Sequence, residues 1–260
     1  MRLVTLFFAL AALGCAGAIA LAGPGTQMGW WEYGDGLGLI RKVSAPIDLG
    51  PLALSPIFTA GALAGLSGVI VFFLSARTLG IFAIICALAA AGAGQVPLQM
   101  RAAFEANPFI HDVTTDFDDP PAIVAAAELE RNNPPAYLGD ELVPRSELTV
   151  AEAQAEAFPD ITPRKVNRSL DETAEIVRVI LRDMKMEMLD ETLTDEGWRL
   201  EAAYTSTWFG FVDDFVVRLT PEGSMTRVDV RSKSRVGGSD LGANAARVRA
   251  FLERLEAATA

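Results

Sequence analysis

WFGFVDDFVVRLTPEGSMTRVDVRSKSRVGGSDLGANAARVRAF, residues 208–251, carries two strands, a glycine turn and a helix, and the rest of the chain is organised around it. Residues 212–219 are rich in Val and Phe, and residues 225–233 alternate in character with a period of two. Pro221-Glu222-Gly223-Ser224 between them is turn chemistry, so the pair predicts an antiparallel hairpin. In the second strand Arg227, Asp229, Arg231, Lys233 and Arg235 fall on one face, and Val228, Val230, Ser232 and Ser234 on the other. Gly237-Gly238 ends the strand, since only glycine takes positive φ cheaply. Ser239 or Asp240 stands where a helix N-cap belongs, ahead of an apolar stripe at Leu241, Ala245, Val248, Leu252 and Leu255. Asp240, Asn244 and Arg247 lie on a neighbouring face of that helix.

The strand end thus supplies Arg231, Ser232, Ser234 and Arg235, the helix start supplies Asp240, Asn244 and Arg247, and the first strand opens with Asp213 and Asp214. Guanidinium groups, hydroxyls and a helix N-terminus suit an anionic group, which makes this set the candidate ligand-binding cluster. The competing expectation is a structural lock. There Asp240 caps the helix, Asn244 bonds the loop backbone, and the arginines pair with Asp213 or Asp214. Adjacent strand residues point to opposite faces, so one aspartate is expected to pair with Arg231 or Arg235 and the other to be solvated.

The runs FVDD (211–214), VRSKSRVGGSDLGANAARVRAF (230–251) and NPFIHDVTTDFDDPPA (107–122) resemble the domain-of-unknown-function 1499 family. Its recognisable R-S-x-S-R-x-G-x-S-D-x-G-x-N pattern is filled by Arg231, Ser232, Ser234, Arg235, Gly237, Ser239, Asp240, Gly242 and Asn244. Where some members place a basic residue soon after the Asn, this chain has Ala245 and Ala246 and then Arg247. The resemblance covers the chain from about Asn107 onward and implies a family without implying an activity.

Upstream the chain is apolar. Residues 3–22, 51–76 and 78–100 are runs without charge, each long enough to cross a hydrocarbon core of about 30 Å. Three membrane helices are predicted in residues 1–100, with a soluble domain over 101–260. A signal-like reading of the first run, with Cys15 as a lipidation site, competes with a retained helix, and the apolar run continuing past Cys15 favours the helix. Arg2 ahead of that run predicts a cytoplasmic N-terminus, and three spans then place the domain on the periplasmic side of the inner membrane. Gly61-x-x-x-Gly65 and Ala64-x-x-x-Gly68 allow close helix approach but recur often by chance.

Of the 22 basic residues four precede Arg101, and of the 33 acidic residues three do, so the domain is strongly acidic and nucleic acid is not an expected partner. Cys15 and Cys86 both fall in apolar runs, and His111 is the only histidine. Cysteine zinc sites, thiol nucleophiles and multi-histidine metal sites are thereby excluded from the domain, and no cofactor is expected. No G-x-S-x-G elbow partners His111.

Residues 23–50 read as a loop bearing Trp30, Trp31 and Tyr33 at the headgroup level. Residues 110–116 predict a short strand. Asp118-Asp119-Pro120-Pro121 predicts the start of a short helix running to Glu130. Thr149 with Glu152, and Ser169 with Glu172, predict capping boxes. The second opens a helix to about Lys185 with Ile176, Val179, Ile180 and Met184 inward. Residues 161–167 predict an edge strand, and residues 186–192 and 198–204 a further pair around Asp195-Glu196-Gly197. This order gives an α+β two-layer domain, an antiparallel sheet with helices on one face. The leading functional expectation is a non-enzymatic, membrane-anchored envelope protein binding a small molecule or partner protein. The alternatives are a hydrolase using Asp213 or Asp240 as base with Arg231 and Arg235 on an oxyanion, and a structural subunit of a membrane complex docked through Trp208 and Phe209.

Overall fold

The computed structural model of the chain describes residues 1–48 and 53–260. Gly50, the end of the expected loop, and Pro51 and Leu52, the start of the second apolar run, lie outside the described residues. The chain divides into two units, Met1–Ala102 with Thr207–Gly210, and Ala103–Ser206 with Phe211–Ala260.

The first unit is helical. It contains α1 (Arg2–Gln27), α2 (Tyr33–Ser44), a short pair β1 (Ile47–Asp48) and β2 (Ala53–Leu54), then α3 (Pro56–Leu74), α4 (Arg77–Ala93) and the start of α5 (Gln95–Ala106). Arg2–Gln27, Pro56–Leu74 and Arg77–Ala106 are each long and apolar enough to cross a membrane. The small-residue spacings on α3 serve packing. A Cβ on Gly61 would stand 3.2 Å from that of Ala90, and one on Gly68 2.9 Å from that of Ala83, so α3 and α4 meet nearly backbone to backbone. The expected 23–50 loop is replaced by the end of α1, by α2 and by β1. Trp31 donates its indole N–H to the carbonyl of Ala22 at 3.0 Å, which folds the connection back on α1. Thr207–Gly210 is bound here by side-chain amide bonds from Gln27 to the carbonyls of Thr207 (2.9 Å) and Trp208 (2.6 Å).

The second unit runs β3 (Asp112–Thr114), α6 (Val150–Ala157), β4 (Arg164–Val166), α7 (Leu170–Asp183), β5 (Glu187–Thr194), β6 (Gly197–Thr205), β7 (Val212–Glu222), β8 (Met225–Ser234) and α8 (Ala243–Thr259). Its sheet is antiparallel, in the order β3-β8-β7-β6-β5, and β4 shares with β3 the outer edge of β8. The β7–β8 hairpin turns on two residues, with Gly223 at φ +65° in the first central position, as the strand twist requires. At the other edge β5 is largely exposed, and Glu187, Asp190 and Glu191 discourage further strand pairing there.

Both predicted capping boxes form. Thr149 and Glu152 open α6, and Ser169 and Glu172 open α7. The inward face of α7 is centred on Ala174, Val177, Ile180 and Leu181, which are buried; of the expected stripe Ile176 and Met184 also pack against the core, and only Val179 is half exposed. Ile180 is common to both stripes, and the sheet selects the one that holds smaller side chains at 173 and 174. Phe215, Val217, Leu219, Val228 and Val230 point to this helix-covered face and form the core with Val248, Phe251 and Leu252 of α8. Phe215 and Phe251 rings lie 5.4 Å apart.

No helix forms over residues 118–130; the segment is a loop with one tight turn. The backbone N–H groups of Val124, Ala125 and Ala126 are taken by the buried Glu201 carboxylate at 2.9 to 3.3 Å, which ends at one turn what capping residues could have propagated. That loop covers the second face of the sheet, where Ile123, Ala126 and Val216 form a small cluster.

Candidate functional site

The register of β7 and β8 places the candidate residues. Asp213 stands opposite Ser234, Asp214 opposite Lys233 and Phe215 opposite Ser232. Because side chains alternate, Asp213, Ser232 and Ser234 face the helices, while Asp214, Arg231, Lys233 and Arg235 face the loop-covered side. The cluster expected as one site is two networks with the sheet between them.

On the helix side, Asn244 is fully buried and is the hub. Its side-chain carbonyl accepts from Ser232 Oγ at 2.6 Å and from Arg247 Nη1 at 2.6 Å. Its amide donates to Ser234 Oγ at 2.9 Å and to the carbonyl of His111 at 3.2 Å. Arg247 continues to Asp213 Oδ2 at 2.7 Å and lies over the Tyr204 ring at 4.4 Å. Asp240 accepts from the backbone N–H of Gly242 and of Asn244, both at 2.8 Å, so its carboxylate occupies the start of α8. Helical conformation begins only at Ala243, because Leu241 (φ +56°) and Gly242 (φ +85°) are left-handed. Burial raises the Asp240 carboxyl above its ordinary value, offset in part by those two N–H donors.

On the other side, Asp112 of β3 takes a two-pronged bond from Arg231, at 2.9 and 2.8 Å, and a third from Lys233 Nζ at 2.9 Å. Asp214 holds Arg131 Nη1 at 2.8 Å and Arg235 Nε at 2.8 Å. Arg235 Nη2 stands 2.7 Å from the same Asp214 oxygen without the alignment of a hydrogen bond. The loop contributes carbonyls: Pro121 and Pro135 to Arg231, Ala136 to Lys233, and Ala126 and Asn133 to Arg131. Further along the face, Arg218 and Arg227 share Asp116 and Asp229.

Next to Asp112 and Lys233 lies a cavity of about 180 Å³, with apolar walls from Phe109, Ile110, Leu138, Leu142, Pro144 and Val150 and polar lining from His111, Asp112, Glu141 and Lys233. Burial pulls the Lys233 ammonium below its usual value, against the opposing effect of Asp112. Burial, with Lys233 adding, also lowers His111. The Tyr137 phenol is pushed well up by burial, with Asp112 adding. Its hydroxyl is buried without a hydrogen-bond partner among the described residues.

Several expectations are corrected. Neither aspartate of the Asp213-Asp214 pair is solvated, since both are buried and ion-paired. Arg231 pairs with Asp112 rather than with either of them. Of the two bases named for the hydrolase arrangement, Asp213 lies on the opposite face of the sheet from Arg231 and Arg235, and Asp240 is bonded to the start of α8. Asp112, Arg131, Tyr137, Glu201 and Gln154 were not singled out from the sequence. Gln154 is buried and bonds both the N–H and the carbonyl of Thr114, at 3.0 and 2.6 Å, substituting for a strand beyond β3. A signal existed for Glu201, the one carboxylate of its strand, on the same face as Arg199, with which it pairs at 2.9 Å. None existed for the pairing of Asp112 across more than a hundred residues.

A family model described as "Protein of unknown function (DUF1499)" matches residues 112–255. No curated protein and no solved structure matches the chain. The matched segment contains the whole six-stranded sheet, every side chain of the two networks and α8 up to Leu255, more than half of the 260 residues. The chain belongs to the DUF1499 family.

Proposed function

We propose that this chain is an inner-membrane envelope protein whose folded domain faces the periplasm and binds a small molecule without transforming it. The observation that carries the reading is the cavity beside Lys233, a largely apolar enclosure with polar lining from His111, Asp112, Glu141 and Lys233. Most residues of the candidate cluster, Arg231, Ser232, Ser234, Arg235, Asn244, Arg247, Asp213 and Asp214, spend their polar groups on one another, on Asp112 and Arg131 or on loop carbonyls. Asp240 spends its carboxylate on the start of α8. None of these residues lines the cavity, and on this reading it is the cavity that receives the ligand. At about 180 Å³ it lies below the range typical of drug-sized ligands, so the occupant is small or inserts one end.

Native mass spectrometry of the full chain, taken from membranes into nanodiscs and released in the gas phase, tests this. A retained small molecule that disappears when Leu138→Trp fills the cavity is expected. A protein that carries nothing and takes up no small amphiphile on addition would overturn the proposal. A reporter fused to the C-terminus addresses the topology: activity of a periplasm-only reporter is expected, and activity of a cytoplasm-only reporter would reverse the orientation.

A further inference from the structure

On the reading of this cavity as a ligand site, we infer that its ligand is an uncharged amphiphile, an alcohol head on a short hydrocarbon chain. The polar groups that face the cavity are His111, Asp112, Glu141 and Lys233, one ammonium against two carboxylates. The imidazole is neutral at neutral pH, since burial and Lys233 disfavour its charged form. Neither sign of head charge finds a free counter-ion there. The Lys233 ammonium is already paired with Asp112 at 2.9 Å, and an anionic head would face both carboxylates. Asp112 is shared in turn between Lys233 and a two-pronged bond from Arg231, which does not line the cavity. A cationic head would face the ammonium. Glu141 is exposed, so water screens its charge and weakens its hold on a cation. A charged head would therefore lose hydration without gaining a dedicated partner, a cost that a neutral head avoids.

Hydrogen-bonding capacity, by contrast, is left over in both senses. An ammonium has three donors, and Lys233 uses two, on Asp112 and on the carbonyl of Ala136. Its side chain is 1% exposed, so the third donor has no bulk water to turn to, and Lys233 borders the cavity. On the accepting side, the Glu141 carboxylate makes no hydrogen bond or ion pair among the described residues. His111 turns Nδ1 to the carbonyl of Gly238 at 3.4 Å, which makes Nδ1 the donor and leaves Nε2 an acceptor. A hydroxyl both accepts and donates, so it matches an unspent N–H beside unspent acceptors.

The rest of the ligand follows from the walls. Phe109, Ile110, Leu138, Leu142, Pro144 and Val150 offer hydrocarbon only, and about 180 Å³ holds a short chain. Each methylene that enters is worth about a fourfold gain in affinity, so the chain supplies the binding and the head sets its orientation.

Calorimetric titration of the full chain in phosphatidylcholine nanodiscs, corrected with empty nanodiscs, compares hexanol, hexanoate and hexylamine at neutral pH. The three share a chain and differ in head charge. Hexanol is expected to bind saturably, at least about tenfold more tightly than either ion. Lys233→Met should weaken hexanol by about tenfold through loss of the unspent donor. That variant should fold, because Asp112 and Arg231 remain as a neutral pair. Glu141→Gln, at an exposed position, should bring hexanoate about two- to fivefold closer to hexanol. Either ion binding as tightly as hexanol overturns the neutral-head inference and leaves the cavity standing as a ligand site. Hexanol and hexanoate binding unmoved by both substitutions puts the head elsewhere and overturns it as well. Failure of all three compounds to bind sinks the cavity reading itself, and the inference with it.

Discussion

Asp112→Asn is the most informative single substitution. The change keeps the shape of the side chain but removes the charge that Arg231 and Lys233 share, leaving two cations, 3% and 1% exposed, without their anion. Breaking a buried ion pair by removing one partner costs about 3–5 kcal/mol, chiefly because the stranded charge has lost its hydration. In a domain of this size each kcal/mol lowers the melting temperature by about 2–4 °C, so a fall of roughly 6–20 °C is expected. The internal standard is Asp160→Asn. Its Arg249 bonds are as short, 2.6 Å each, but the partners are 53% and 37% exposed, and an exposed pair contributes about 0–1 kcal/mol. Thermal unfolding of the full chain in detergent, followed by near-ultraviolet circular dichroism, compares the two variants. A shift for Asp112→Asn no larger than that for Asp160→Asn would refute the argument that burial, rather than bond length, sets the importance of these pairs.

Other consequences are open to simple measurements. His111, the only histidine, should titrate below the usual value of about 6.5 in an NMR pH series, because burial and Lys233 disfavour its charged form. The unfolded chain then binds the proton first as pH falls, so the stability this group contributes is complete above about pH 6.5 and is lost between there and the folded-state value; His111→Gln should flatten that part of the stability curve. Phe215→Ala, which empties a fully buried position against Phe251, should cost about 3–5 kcal/mol in denaturant titration. Gly68→Leu in α3 should disrupt the first unit, since even a Cβ there meets Ala83 at 2.9 Å, and loss of a monodisperse peak in size-exclusion chromatography would report it.

Much of the domain was legible because its signals are local. Two capping boxes, a glycine turn between alternating strands and three charge-free runs of membrane length each act within a few neighbouring residues or along one helix. The alternation in residues 227–235 even separated charged from hydroxylic side chains correctly. What failed was grouping. The family pattern places Arg231, Ser232, Ser234 and Arg235 side by side in the sequence, yet period-two geometry sends them to opposite faces. On α7 the pattern places Ile176, Ile180 and Met184 inward but not Val177, because Val179 and Val177 are equally apolar and only the packed sheet chooses between them. The segment after Pro121 was read as a helix because its N–H groups looked capped from within, whereas their partner is Glu201, distant in sequence. Asp112 was passed over for the same reason, since its partners lie 119 and 121 residues away.

The separation of the two polar networks by the sheet is best tested by double-mutant cycles on unfolding free energy. Ser232→Ala with Asn244→Ala, partners at 2.6 Å on the helix side, should show a coupling of about 0.5–3 kcal/mol. Asp112→Asn with Asp213→Asn, which share no partner and lie on opposite faces, should be additive within about 0.5 kcal/mol. A cross-face coupling as large as the one within the helix-side network would contradict the account.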